Sequence, residues 1–268
     1  MSGKGECIAF ANHKGGTAKT TTCLSIAGYL ARKGYKVLVV DFDPQANATS
    51  GLGIDGMSLR HSMYDVVLDL CHGQQGTPIT QVILETDVEN LHVAPSELDL
   101  AVAETVMQRT GNRWSILRRA LEKIKPRYDF LLIDLPPSSG LLTINGLCAA
   151  DQVIVPIDPS IFALEAIENL RRSFHDIRRM THHTIRRITA VLVRYKRPNL
   201  LSRFMGNRNS CQEIETRLKE MFDRVFVVPE SDEIYRAQKK GIPVSHLAPR
   251  SSVGKAYGKI AESIAEQQ

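Results

Sequence analysis

Near the amino terminus, Asn12-His13-Lys14-Gly15-Gly16-Thr17-Ala18-Lys19-Thr20-Thr21 combines two glycines, two lysines and a run of hydroxyls. It lies between an apolar stretch, Ile8-Ala9-Phe10-Ala11, and a segment of helical period from Thr20 to Arg32. Strand, loop, lysine, hydroxyl and helix in that order are the parts of a phosphate cradle. The glycines let main-chain N–H groups turn inward around an anion. The helix behind them adds unpaired N–H groups and roughly +0.5 of dipole charge. Lys19 would reach the β- and γ-phosphates of a nucleotide, and the Thr20 hydroxyl would ligate Mg2+. The residues expected against phosphate are Gly15, Gly16, Thr17, Ala18, Lys19, Thr20 and Thr21. The alternative is an ordinary strand-to-helix turn.

Two other segments end an apolar run in carboxylates. Val37-Leu38-Val39-Val40 leads into Asp41-Phe42-Asp43-Pro44, and Phe130-Leu131-Leu132-Ile133 leads into Asp134. A carboxylate at the C-terminal end of a strand points into the crevice where open α/β sheets bind ligands. Asp134 has the form of a Mg2+ carboxylate delivered by a rigid strand, often acting through water. Asp43 is expected to orient an attacking water and to stand near the metal; phosphoryl transfer rewards placing the water more than strong base catalysis. Its competing role is a helix cap ahead of Pro44. Asp41 would support either Mg2+ or the loop.

The elements that must hold these groups alternate along the chain. Val37–Val40, Leu91–Ala94, Phe130–Ile133, Val153–Ile157, Ile188–Val193 and Val225–Val228 read as buried strands, with helices of two to five turns between them. This rhythm predicts an α/β fold, a mostly parallel central sheet with helices on both faces. No linker, repeat or low-complexity tract interrupts the 268 residues, so one domain over 1–268 is expected. There is no uncharged apolar run long enough to span a bilayer and no signal-peptide core, which predicts a cytoplasmic protein. The five cysteines never stand at C-x-x-C spacing, against a zinc or iron–sulfur site within one chain. Net charge is +5, unevenly placed: residues 1–134 hold 14 Lys/Arg against 15 Asp/Glu, and residues 135–268 hold 20 against 14. Between 169 and 208 only Asp176 opposes eleven basic residues, Arg171, Arg172, Arg178 and Arg179 among them. Such a segment suggests an anionic partner.

Lys14 at the start of the loop makes the pattern K-G-G-x-x-K-T, which resembles the deviant Walker A family of P-loop ATPases: the partition ATPases ParA and Soj, MinD and the nitrogenase iron protein. Asp41-Phe42-Asp43-Pro44-Gln45-Ala46-Asn47-Ala48-Thr49 is similar to that family's D-x-D-P-Q-x-N-x-T segment, and the likeness runs from Ile8 to about Ile260. The resemblance implies an ATP- and Mg2+-dependent homodimer in which Lys14 crosses a two-fold interface to phosphate on the partner, as an arginine finger does. Ala18 departs from the family's glycine before the lysine. Two readings stand, a variation absorbed by a small shift or a weakened hydrolysis or dimerisation, and reduced turnover is the expectation. Val227-Val228-Pro229-Glu230-Ser231 resembles the segment that packs on adenine, with Pro229 apolar and Ser231 polar. Asn145 falls in a helix like the family's T-x-N-A-L.

No cysteine follows Asp134, unlike the iron protein, and the acidic, weakly apolar Ile260–Gln268 is unlike MinD's membrane helix. The ParA/Soj branch is therefore implied, and with it non-specific DNA binding on the nucleoid, a ParB-type activator and no membrane. Arg194, Lys196 and Arg197 lie in a segment resembling the family's R-x-N-L loop. Arg203, Arg208, Arg236, Lys239 and Lys240 are further candidates for DNA, whereas Glu230 stands where the family often has a basic residue. The alternatives are a related ATPase positioning another cargo, a MinD-like division regulator at the membrane, and a metallocluster-loading ATPase.

Overall fold

The computed structural model describes residues 5–73, 76–160, 163–181, 183–196 and 210–267. Eight strands form one sheet: β1 (Glu6–Phe10), β2 (Val37–Asp41), β3 (Leu84–Glu85), β4 (Leu91–Ala94), β5 (Phe130–Asp134), β6 (Gln152–Ile157), β7 (Arg187–Tyr195) and β8 (Arg224–Pro229). Their order is β3-β4-β2-β5-β1-β6-β7-β8. Every neighbouring pair is parallel except β3–β4, which is antiparallel. The expected strands are all present. Only the two-residue β3 went unforeseen, being too short to carry a periodic signal.

The continuous apolar runs follow from burial on both faces. Along β1, Cys7 and Ala9 point into one hydrophobic cluster and Ile8 and Phe10 into the other. In β2, Leu38 and Val40 go with the first and Val37 and Val39 with the second; Leu131 and Ile133 oppose Phe130 and Leu132 in β5 in the same way. The second cluster takes in the Lys19–Arg32 helix, through Cys23, Ile26, Ala27 and Leu30, and the Ser252–Ala265 helix, through Val253, Tyr257, Ile260 and Ile264. The apolar stripe of the last helix is thus spent on the core. Tyr257 Oη lies 3.3 Å from Thr22 Oγ1, tying it to the helix behind the phosphate loop. Gly28 on that helix sits where a Cβ would run into Ser245 Oγ and Pro243. Among the described residues, no helix is long and apolar enough to cross a membrane.

The register brings the chemistry to one end of the sheet. Asp41 of β2 pairs with Asp134 of β5, and Phe10, the last residue of β1, pairs with Asp134 from the other side. The chain turns from β1 into the loop at the point where strand order reverses. That switch point is where open sheets of this kind bind ligands.

Candidate nucleotide site

The loop after β1 is held open. Gly16 takes φ +73° and Ala18 takes φ +60°, ψ 34°, the left-handed region. An alanine held there costs about 1–2 kcal/mol. Ala18 is also the N-cap of the Lys19–Arg32 helix, and no side chain caps that end. Elsewhere the chain uses serine caps: Ser62, Ser231 and Ser251 each accept a backbone N–H of the following helix. Among the described residues, no backbone acceptor takes the N–H of Gly15, Gly16 or Ala18. With no acidic residue in its first turn, this helix presents bare donors and the positive end of its dipole to a cavity. That suits an anion.

A cavity of about 470 Å3 lies there, lined by Gly16, Thr17, Ala18, Lys19, Thr20, Thr21, Leu24, Asp43, Gln45, Asn47, Ser50, Gly51, Pro137, Arg194 and Gln238. Lys19 is only 7% exposed. Burial pulls its pKa below the usual lysine range, while the carboxylates of Asp134 and Asp43 hold it up. Thr20 Oγ1 donates to Asp134 Oδ2 at 2.6 Å. Burial, with the charge of Asp41 added, pushes the Asp134 carboxyl well above the ordinary range; the Thr20 hydroxyl and Lys19 oppose this.

The three aspartates divide in their partners. Asp41 is fully consumed by the chain. Its Oδ2 accepts the backbone N–H and the hydroxyl of Thr49, each at 2.7 Å, and its Oδ1 accepts Asp43 N–H at 3.3 Å. Thr49 Oγ1 in turn accepts Ser96 N–H at 3.0 Å. Asp41 therefore fastens the loop rather than offering itself to a metal, and burial raises it to about 6. Asp43, 6% exposed, uses Oδ1 to accept Gln45 N–H at 3.0 Å and still faces the cavity. This is a turn around Pro44, not a helix cap; the helix that follows starts at Asn47, with Ala46 at its cap. Asp134 Oδ1 is buried with no hydrogen-bond partner.

An orphaned carboxylate oxygen beside a threonine hydroxyl is an all-oxygen donor set of the kind Mg2+ takes. Among the described residues no three His, Cys, Asp or Glu side chains group to hold a metal by themselves. Mg2+ suits this arrangement, because it keeps several waters and phosphate oxygens and needs only one or two carboxylates.

Other expected residues are placed differently. Lys14 does not line the cavity. Its Nζ donates to Ser160 Oγ at 2.8 Å, and its backbone N–H to Asn12 Oδ1 at 3.0 Å. Pro229 ends β8, and Ser231 caps the Asp232–Lys239 helix by accepting Glu233 N–H. On that side the cavity wall is instead Arg194 and Gln238, the latter donating to Thr21 Oγ1 at 2.9 Å. Arg194 takes φ +53° at a register shift between β7 and β8, and its guanidinium donates to Asp158 at 3.2 Å. Lys196 pairs with Glu230 at 3.3 Å and Arg236 with Glu233 at 3.3 Å. Lys239 and Lys240 are exposed. Arg197, Arg203 and Arg208 lie outside the described residues. Asn145 is far from solvent; it accepts Ile116 N–H and Leu117 N–H and donates to Arg113 O and Leu141 O, capping a neighbouring helix.

Sheet order, switch-point loop and strand-end carboxylates together define a P-loop nucleoside-triphosphatase fold. A family profile described as an AAA domain matches residues 5–187. The sporulation initiation inhibitor protein Soj of Bacillus subtilis (strain 168) is 37% identical over 265 residues, covering 97% of this chain and 98% of that protein. The chromosome-partitioning ATPase Soj of Treponema pallidum is 32% identical, over 97% of each chain. The chromosome partitioning protein ParA of Caulobacter vibrioides is 33% identical, over 97% of this chain and 94% of its own. The chain belongs to this Soj/ParA family. Among solved structures, a protein described as cobyrinic acid a,c-diamide synthase from Mycobacterium smegmatis, with bound ADP and magnesium, superposes with a TM-score of 0.77 at 30% identity, over 98% of this chain and 95% of that one.

Proposed function

We propose that this chain is one ATPase domain that binds ATP with Mg2+, dimerises on it and hydrolyses it to ADP and phosphate as a partition switch. The observation that carries this reading is the uncapped end of the Lys19–Arg32 helix, opening on a cavity that also holds Lys19, Thr20 and Asp43. In it, the amides from Gly15 to Thr20 and the Lys19 ammonium grip the phosphates. Thr21 and Arg194 also line the cavity, and Pro229 and Ser231 would approach the base. Thr20 and Asp134, with Asp43 nearby, would hold Mg2+, which when bound neutralises charge on the phosphate oxygens. Asp43 holds a water in line with the γ-phosphorus, its second oxygen being free of the Gln45 contact. Lys14 leaves Ser160 and completes the site of the other subunit, supplying positive charge where the transition state is negative.

Two such sites closed face to face make the ATP state the dimeric one. The dimer binds DNA without sequence preference through its basic surface, on the nucleoid, and a ParB-type protein triggers hydrolysis and release. Nucleotide then biases a two-state equilibrium by its differential contacts with the γ-phosphate. The names of the Soj and ParA relatives support the partition role.

The deciding experiment measures DNA binding with and without ATP for wild type, Lys14→Ala and Arg197→Ala. Nucleotide-dependent binding that both variants lose is the expected result. Binding by wild type that ignores nucleotide would sink the coupling.

A further inference from the structure

Part of the basic excess lies on an element that the candidate DNA residues do not include. The Ala163–Thr181 helix buries Ile167, Leu170 and Ile177, and around its solvent-facing arc it carries Arg171, Arg172, His175, Arg178 and Arg179, all exposed. Arg171 to Arg178, and Arg172 to Arg179, are each two turns apart, about 10.5 Å along the helix. Glu168 approaches Arg171 at 4.0 Å and Asp176 approaches Arg179 at 3.8 Å. Among the described residues no carboxylate comes within 4.0 Å of Arg172 or Arg178. By contrast Lys196, Arg194 and Arg236 each have a carboxylate partner.

The same helix is joined to the phosphate loop. His13, beside Lys14, places Nδ1 3.2 Å from the carbonyl oxygen of Ser138, in the loop after Asp134, and Nε2 3.1 Å from Ser173 Oγ on the helix. A carbonyl only accepts, so Nδ1 is the donor to Ser138, while the Ser173 hydroxyl lies within reach of both Nε2 and, at 3.3 Å, the carbonyl oxygen of Asn169 one turn back on the same helix. One imidazole therefore touches three elements: the start of the phosphate loop, the loop that follows the metal carboxylate, and the arginine-bearing helix.

We propose that the exposed arginine face of the Ala163–Thr181 helix is a contact surface for the phosphate backbone of duplex DNA, and that His13 couples it to the nucleotide site through Ser173. The inference rests on the DNA-binding reading above and names a surface for it. Planar guanidinium groups with no carboxylate in reach suit phosphate oxygens. A row of them along one helix reads charge and not sequence.

The test is a salt titration of full-length protein on a non-specific duplex, with Mg2+ and a slowly hydrolysed ATP analogue. Arg172→Ala/Arg178→Ala should weaken binding roughly tenfold or more, and its plot of log K against log salt should be shallower by about 0.9 for each phosphate that the variant no longer neutralises. Arg172→Lys/Arg178→Lys should recover most of the affinity, and circular dichroism melting reports that both variants are folded. If the alanine pair binds with wild-type affinity and slope while wild type needs nucleotide, this surface is wrong and the DNA reading survives. If wild type binds no duplex, the DNA reading itself has failed. Wild type that sediments with anionic vesicles and ignores duplex overturns the choice of DNA. For the coupling, Ser173→Ala should shrink the ratio of affinities with and without nucleotide several-fold; an unchanged ratio removes His13 from the scheme.

Discussion

Ala18 is the residue most at odds with its backbone. Its φ of +60° is one that glycine adopts freely, and its side chain packs on the core beneath the helix. Ala18→Gly should raise unfolding free energy by about 1 kcal/mol in urea denaturation. A faster ATPase in the same variant would show that the Cβ also slows turnover. Asp41 makes a prediction of opposite character. Burial raises it from 3.8 to about 6, so between those values the folded chain keeps a proton that the unfolded chain has lost. Its contribution to stability therefore falls as pH rises from about 4 to about 6 and is level above that. Relative to Asp41→Asn, wild type should gain stability when denaturation is moved from pH ~7 to pH ~4.5; a constant difference would contradict the raised value. The carboxylates were legible in sequence as strand ends. Their division of labour was not, because it depends on Thr49, eight residues away along the chain, bending back to occupy both the N–H and hydroxyl contacts of Asp41.

At the level of elements, the phosphate loop could be read because its parts are contiguous: strand, loop and helix follow each other without interruption. The far wall of the cavity could not. Arg194 looked like one member of a basic run, and only the register shift between β7 and β8 turns it toward the nucleotide side. Gln238 reaches Thr21 from 217 residues away, and no local pattern announces it. The loop's geometry depends on how the Lys19–Arg32 helix is seated. Gly28→Ala would drive a methyl group into Ser245 and Pro243, and should cost about 1–3 kcal/mol while weakening nucleotide binding through the displaced helix. Calorimetry of unfolding and an ATP-analogue titration read the two effects. Asn145→Ala isolates a different support. It orphans the buried N–H groups of Ile116 and Leu117 and should destabilise by about 1–3 kcal/mol or more in the same calorimetric assay. A recognised T-x-N-A-L segment suggested that Asn145 mattered without showing that its business is holding one helix onto another.

For the molecule as a whole, hydrolysis needs a second copy if Lys14 works across an interface. Turnover per subunit should then climb with protein concentration before reaching a plateau, and Lys14→Ala should stay low at every concentration while still binding ATP analogue. A wild-type rate independent of concentration would place Lys14 back in its own subunit. The borders of the sheet bear on what happens when many copies are brought close together. One border is β3, two residues long and antiparallel to its neighbour; the other is β8, which closes on Pro229 and carries an exposed arginine at its start. Among the described residues one border is thus very short and the other carries a charge and a proline, features that discourage another chain from adding a strand. Copies brought close together should therefore meet through side chains and come apart again on dilution, which light scattering of a concentrated and then diluted solution would check.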